Sequence, residues 1–319
     1  MTTRTGSRTV VPDRPLRATL ALTAVTAVWG STFFLIKDVL EVMPVVDFLA
    51  VRFTIAAVVM VAVFWRQLRR LDAVAWRRGG ALGLVYGAGQ LLQTWGLATT
   101  DASVSGFITG MYVVLTPVLG ALLLRHRISG LTWIAVALAT AGLAVLSLRG
   151  MAVGTGELVT LVAAAVYALH ILGLGAWSTQ RDAVGLATVQ MIVIAGVCVL
   201  SAAPGGVTMP PDAGSWLSVL YMALVAGAGA LVVQTWAQAH LSATRAAIVM
   251  TTEPVFAALF AVLFGGESLG IRVLFGGALV LAAMYLVELA PRLQARRQLA
   301  RAPATAFDDP PVEALHHEP

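Results

Sequence analysis

The chain has 319 residues, of which 59% are hydrophobic and only 12% are charged, and its mean hydropathy is +0.86. A soluble domain carries about twice this share of charged residues, so the composition excludes an ordinary soluble protein and predicts an integral membrane protein. The net charge of +5 does not indicate binding of nucleic acid, because the basic residues cluster near the ends of apolar segments.

Ten apolar segments can be recognised along the chain, each close to the ~20 residues that a membrane-spanning helix needs. They cover residues 17–37, 45–65, 79–99, 104–124, 130–149, 157–177, 183–203, 215–236, 244–264 and 270–290. Residues 1–16 are polar and basic, and residues 291–319 turn rich in Pro, Asp, Glu and His, so both ends are expected to be disordered tails. The chain is therefore predicted to be an all-α membrane protein with about ten transmembrane helices.

The basic residues are distributed unevenly between the two predicted sides of the membrane. With the N-terminus inside, the outer segments hold only Lys37, Arg149 and Arg272, whereas the inner loops and tails are rich in arginine. Loops rich in Lys and Arg stay in the cytoplasm. The sequence therefore predicts a multi-pass protein of the cell membrane with both termini in the cytoplasm.

The two halves of the membrane region resemble each other. The matched positions are Trp29 with Tyr167, Val51-Arg52-Phe53 with Val189-Gln190-Met191, Gln93-Thr94-Trp95 with Gln234-Thr235-Trp236, and Pro117 with Pro254. Residues 17–149 and 157–290 are thus predicted to be two related five-helix repeats. Because five is odd, the second repeat enters the membrane in the opposite sense. Inverted repeats of this kind are typical of secondary transporters that work by alternating access.

Several stretches resemble the drug/metabolite transporter superfamily, in its EamA-type ten-helix branch. These stretches are residues 29–33 (WGSTF), 51–53 (VRF), 189–191 (VQM) and 251–258 (TTEPVFAA) followed by Gly266-Glu267. The resemblance covers nearly the whole membrane region and implies ten helices around a central cavity. It also implies transport of a small metabolite, amino acid or drug, and we expect an exporter. One departure is His126-Arg127, which replaces the Gly-Glu pair that the family often has after the fourth helix.

Glu253 lies inside the ninth apolar segment, where a carboxylate is costly in hydrocarbon. It is expected to face a cavity or the protein interior, where it could carry a proton or bind a cation. The alternative is a structural acid that bonds to a neighbouring helix. Pro254 beside it, and Pro117 in the fourth segment, are predicted to kink their helices and to act as hinges between the rocking halves.

Arg52 lies about seven residues inside the second segment, too deep for easy exit to the surface. Its guanidinium could receive an anionic group of a substrate in fork geometry. The alternatives are a structural pairing with Asp38, Glu41 or Asp47, or snorkelling to the outer interface.

The remaining candidates are polar or aromatic residues within the apolar segments. Tyr167 and His170 are three residues apart on one helix face and could line a cavity or relay protons. The alternative is packing, which is the more common role of a lone histidine within a helix. The Gln-Thr-Trp sets could mark two gates, or their tryptophans could lie in the interfacial belt. The predicted substrate-contacting residues are Trp29, Ser31, Arg52, Gln90, Gln93, Tyr112, Tyr167, His170, Gln234 and Glu253.

The predicted function is a secondary transporter, with proton coupling as an open possibility. The predicted partners are a small-molecule substrate and the lipid bilayer, and a homo-oligomer remains open. No metal, cofactor or catalytic site is predicted, because ionisable residues within the membrane are few and no Walker motif is present. The alternative is a lipid-handling or other non-transport membrane protein.

Overall fold

A computed structural model describes residues 14–124, 130–149, 152–179, 181–238, 241 and 249–301. The tail residues 1–13 and 302–319, His126-Arg127 and residues 244–248 of the ninth segment lie outside the described residues. The first half contains α1 (Arg14–Leu40), α2 (Val45–Leu68), α3 (Ala73–Ala98), α4 (Ala102–Gly110), α5 (Tyr112–Leu124) and α6 (Gly130–Ser147). The antiparallel strands β1 (Leu148–Arg149) and β2 (Ala152–Val153) then link the halves.

The second half follows the same plan with one irregular helix. It contains α7 (Thr155–Trp177), α8 (Ala183–Ala202), a 3₁₀ turn (Ala203–Gly205), α9 (Ala213–Leu220), α10 (Ala230–Gln238), α11 (Glu253–Leu263) and α12 (Ile271–Arg301). Between α9 and α10 the chain continues as a π-helix, Tyr221–Gly229. We call this stretch the π segment.

The helices have the length and composition that a bilayer requires. Six stretches are long and apolar enough to cross a membrane: Leu16–Leu40, Val45–Leu68, Ala102–Leu123, Thr155–Trp177, Ala183–Gly205 and Ala213–Gln234. Gly130–Leu146, Glu253–Leu263 and Ile271–Val287 are shorter apolar helices. The helix α3 is 26 residues long but less apolar, because glycines and Gln90 and Gln93 interrupt its apolar residues. The predicted all-α membrane architecture is thus confirmed.

The regular helical pattern of the fourth and ninth predicted segments is interrupted at a residue before the proline. The fourth breaks at Met111, between α4 and α5, and Pro117 lies inside α5. The ninth turns at Thr251 and Thr252, and Pro254 follows in the first turn of α11, where a missing N–H is tolerated. Pro254 therefore lies directly after a break, whereas Pro117 lies more than one helical turn beyond one.

The first and last helices extend into the stretches that were predicted to be disordered tails. The first helix begins at Arg14 rather than at residue 17, and α12 continues to Arg301, past the predicted boundary at residue 290. The stretch after residue 290 is rich in Leu, Gln, Ala and Arg, which are strong helix formers, and this explains the extension.

Equivalent helices of the two halves run in opposite senses. At the end of α1, Lys37 Nζ lies 3.9 Å from Asp101 Oδ1, at the start of α4. At the end of α3, Gly96 packs against the start of α7 so closely that a Cβ on Gly96 would lie 2.7 Å from the Gly156 carbonyl oxygen. The loop between α3 and α4 thus brings the end of α1 and the start of α7 to the same end of the bundle. This is the geometry of an inverted repeat.

The two halves interlock instead of forming separate bodies. The most extensive helix contacts join α2 to α8, α6 to α12, α3 to α7 and α8, and α11 to α1 and α4. Every one of these pairs combines one helix of the first half with one of the second. A rigid rocking of one whole half against the other would have to break all of them.

One loop acid fixes the start of α4. The Glu267 carboxylate accepts hydrogen bonds from Ala102 N at 2.6 Å, Ser103 N at 3.1 Å and Ser103 Oγ at 2.6 Å. These amides belong to the first turn of α4, whose N–H groups have no partner within the helix. Glu267, in the second half, therefore caps a helix of the first half.

Candidate functional site

A cavity of about 100 Å³ lies near the middle of the bundle. This volume can hold several water molecules or a small solute. Its lining residues are Trp29, Thr32, Phe33, Ile36, Arg52, Tyr86, Gln90, Gln93, Thr109, Tyr112, Tyr167, His170, Ile171, Leu231, Gln234, Met250 and Glu253. Nine of the ten residues predicted to contact substrate are therefore brought together around one space.

Ser31 is the exception among the ten. Its hydroxyl donates to the Val28 carbonyl at 2.7 Å and lies 2.8 Å from the Tyr221 hydroxyl, away from the cavity lining. Residues two apart on an α-helix do not share a face, so Ser31 cannot accompany Trp29 into the cavity. Its contact with Tyr221 holds α1 against the π segment instead.

Helical periodicity explains why the lining residues converge. On α1 they recur at positions 29, 32, 33 and 36, and on α3 at positions 86, 90 and 93. Both series follow the spacing of a single helix face. The face of α7 repeats that of α1, because Tyr167, His170 and Ile171 occupy the positions equivalent to Trp29, Thr32 and Phe33.

The repeat therefore places matched positions around the same cavity. Gln93 and its mate Gln234 both line it, as do Gln90 and Leu231 in the same alignment. The tryptophans that follow the two glutamines, Trp95 and Trp236, are 49% and 42% exposed on the outside of the bundle. The glutamines thus line the cavity, whereas the tryptophan side chains point away from it. The role of these sets as gates stays a prediction.

Arg52 brings a buried cation to the cavity. Its side chain is 5% exposed, and its guanidinium carbon lies 5.0 Å from the centre of the Phe53 ring and 5.8 Å from that of Phe48. The Nε atom donates to the Met222 carbonyl at 3.3 Å. No acid in the described part of the chain lies within salt-bridge distance of this guanidinium. Of its three proposed acidic partners, Asp47 instead accepts a bond from Thr208 N at 3.0 Å.

Glu253 brings a buried acid to the same cavity. It accepts a hydrogen bond from the Tyr112 hydroxyl at 3.1 Å, so an acid of the second half contacts a phenol of the first. Thr116, the position matched with Glu253 when the prolines are aligned, does not reach the cavity. Its hydroxyl turns back to the Tyr112 carbonyl at 2.7 Å. The acid is therefore a feature of the second half alone.

Hydrogen bonds also hold the aromatic cavity residues Tyr167 and His170 in place. His170 Nε2 lies 2.7 Å from Gln190 Oε1, and its ring stacks on Tyr86 with centroids 4.8 Å apart. The Tyr167 hydroxyl donates to Gln93 Oε1 at 2.8 Å, and Gln93 Nε2 donates to Thr109 Oγ1 at 3.1 Å. These bonds satisfy polar groups that would otherwise be costly inside the membrane.

Tyr86 is the most informative residue that the sequence analysis missed. It contacts the cavity, Tyr167 and His170, and it lies one helical turn before Gln90. Continuing the Gln90 and Gln93 series by one turn would have found it. Within the described residues, no group of three or more His, Cys, Asp or Glu could hold a metal ion.

Comparison with known proteins agrees with this geometry. The pattern of the EamA-like transporter family matches residues 16–148 and again residues 154–289. A protein of Archaeoglobus fulgidus named "Uncharacterized transporter" is 30% identical over 274 residues, which cover 86% of this chain and 86% of that protein. A solved structure described only as a crystal structure of a protein superposes with a TM-score of 0.61. It covers 88% of this chain and 98% of its own chain at 18% identity, which shows a shared fold.

Proposed function

We propose a function for this chain, which belongs to the EamA-like transporter family. It is a secondary transporter that moves a small solute across the cell membrane by alternating access. The observation that carries this proposal is the cavity between the inverted halves, lined by one buried cation and one buried acid. Arg52 and Glu253 come from different halves, so a solute held between them would connect both.

Arg52 is proposed to bind an anionic group of the solute. A buried charge without a partner is costly, and the described residues offer this guanidinium only a carbonyl and two aromatic rings. A carboxylate or similar group entering the cavity would supply the missing countercharge. The planar fork of arginine suits such a group better than an ammonium would.

Glu253 is proposed to carry the coupling ion or a cationic group of the solute. Acids within membrane segments mark proton and ion pathways in many transporters. The Tyr112 hydroxyl gives this carboxyl one partner and fixes its position at the cavity. Exchange of the solute for an inward-moving proton would make the protein an exporter. The arginine distribution favours both termini in the cytoplasm.

The motion is proposed to occur at the two interrupted helices. The breaks at Met111 and at Thr251 and Thr252 lie next to the cavity residues Tyr112 and Glu253, and each precedes the proline of its segment, Pro117 or Pro254. Because the halves interlock, each moving unit would contain helices of both. Pro254 keeps the second break from closing, because in a continuous helix its ring would crowd the carbonyl of Met250.

Transport by purified protein in proteoliposomes tests this proposal. Amino acids, organic anions and cationic drugs are offered with and without a pH gradient, and the variants R52Q and E253Q are compared with the wild type. We expect R52Q to lose transport of anionic or zwitterionic solutes and E253Q to lose the response to the pH gradient.

Matched controls separate these roles from simple loss of charge. E157Q removes a buried acid of α7 that does not line the cavity, and R272Q removes an arginine that bonds to the Val145 carbonyl outside it. Both controls should transport as the wild type does. If no solute class is transported, the proposal is wrong, and if E253Q keeps its pH response, the coupling role is wrong.

A further inference from the structure

The π segment is an irregular part of the helices that line the cavity. Tyr221–Gly229 is a π-helix, in which the characteristic backbone bond joins a residue to the fifth before it instead of the fourth. Stretches of π-helix are rare and often occur at functional sites. The equivalent part of the first half lies in α3, which is α-helical throughout Ala73–Ala98. The irregularity therefore belongs to the second half alone.

Three side chains of the first half bond to this segment. Arg52 Nε donates to the Met222 carbonyl at 3.3 Å, and Trp29 Nε1 donates to the Ala226 carbonyl at 3.0 Å. Ser31 completes the set through the Tyr221 hydroxyl. Arg52 and Trp29 are cavity residues, so two of the groups that line the site are held by main-chain carbonyls of one irregular helix.

The same segment also sets the direction of the residues after it. Leu231 and Gln234 of α10 face the cavity directly beyond the π segment. Each residue by which the helix register shifted would turn them by about 100° relative to the preceding helix. The π register thus fixes cavity residues on both sides of the segment.

We propose that the π segment is the positioning element of the solute site and that Gly227 is its key residue. The Met222 carbonyl holds the Nε of Arg52, which leaves the two terminal nitrogens of the guanidinium for an anionic solute. This inference rests on the proposed anion-binding role of Arg52. It adds that the role depends on a main-chain carbonyl of the second half.

Two glycines make the segment testable. A Cβ on Gly227 would lie 3.1 Å from the Met222 carbonyl oxygen, which is the acceptor for Arg52. A Cβ on Gly229 would lie 3.1 Å from the Leu224 carbonyl oxygen, to which no described cavity side chain donates. Gly227→Ala and Gly229→Ala each place a Cβ 3.1 Å from a main-chain oxygen of the same helix, but only the first of these oxygens is the acceptor for Arg52. The Cβ on Gly227 would also lie 3.7 Å from the Ala56 Cβ, which is an ordinary contact.

Ligand binding gives the first measurement. Benzoate and its neutral analogue benzamide are titrated against full-length protein in lipid nanodiscs by saturation-transfer NMR. The wild type should prefer benzoate, G227A should bind benzoate about tenfold more weakly, as R52Q does, and G229A should retain the wild-type preference. Benzamide binding should be the same in all four proteins. Equal loss of benzoate binding in G227A and G229A would overturn the inference.

Thermal stability gives a second measurement that needs no ligand. G227A should lower Tm by more in the protein with Arg52 than in R52Q, because only the former has a bond to lose. The Tm shift of G229A should be the same in both backgrounds. If the shift of G227A is also the same in both, Gly227 does not act through Arg52 and the inference fails. A wild type without preference for benzoate refutes the proposed anion site, and the Tm comparison then decides the positioning role separately.

Discussion

Removing the Glu267 side chain should destabilise the protein through the start of α4. Its carboxylate accepts bonds from two main-chain amides and one hydroxyl, with distances of 2.6 to 3.1 Å. In Glu267→Ala all three donors lose this partner at once. Ser103 is 2% exposed, so water cannot easily replace the carboxylate there.

The magnitude follows from the separate contributions of the cap. Loss of an N-terminal cap costs about 1 kcal/mol, and loss of the favourable charge at the helix N-terminus costs up to about 1 kcal/mol. The buried Ser103 hydroxyl adds about 1–2 kcal/mol for its lost bond to a charged group. The total is about 2–4 kcal/mol of unfolding free energy. For a chain of this length we expect a fall in Tm of roughly 4–8 °C.

Thermal unfolding in one detergent, followed by intrinsic fluorescence, measures this change. Glu267→Gln keeps one acceptor oxygen without the charge and should fall between the wild type and Glu267→Ala. Glu41→Ala is the control, because Glu41 is an exposed acid with no hydrogen bond in the described structure. It should leave Tm within about 1 °C of the wild type. A Tm for Glu267→Ala equal to that of the control would refute the capping argument.

Substitutions of Gly30 and Tyr112 test the helix packing and the cavity, respectively, with Gly80→Ala as the control for the first. Gly30→Ala should lower the unfolding free energy by about 1–3 kcal/mol, because the new Cβ would lie 2.7 Å from the main-chain nitrogen of Ala257. Gly80→Ala meets nothing within 4 Å and should leave Tm unchanged or slightly raised. Tyr112→Phe should lower Tm in the wild type but by less in a Glu253→Ala background, since no side-chain oxygen at position 253 accepts its bond there. Equal Tm shifts in both backgrounds would show that the two side chains are not coupled.

The architecture could be predicted because its signals are local or repeated. Apolar length defines each helix, and the match of Trp29 with Tyr167 revealed two related halves before any contact was known. Polar residues such as Gln90 and Gln93 share a helix face by simple periodicity. Their convergence on one cavity follows once the two halves are inverted around it.

The remaining features depend on contacts between segments that are far apart in the chain. Trp29 and Arg52 donate to carbonyls of the π segment Tyr221–Gly229, and helix propensity alone does not indicate its register. The cap by Glu267 joins a loop and a helix 165 residues apart. Pro117 was the sequence signal for a bend in the fourth segment, but the interruption of that helix at Met111 lies more than one turn before it. Sequence patterns predict elements well and predict such meeting points poorly.

The interlocking of the two halves also has a consequence for biosynthesis. The first half leaves the ribosome while the helices that cover it do not yet exist. The helices α2 and α3 lack their main partners, α8 and α7, until the second half has been translated. The helix α6 lacks its main partner until α12, the last described helix, has been made. Proteins of separate domains can complete one domain while the next is still being translated. This chain cannot, and a truncation before α12 would leave α6 without its principal neighbour.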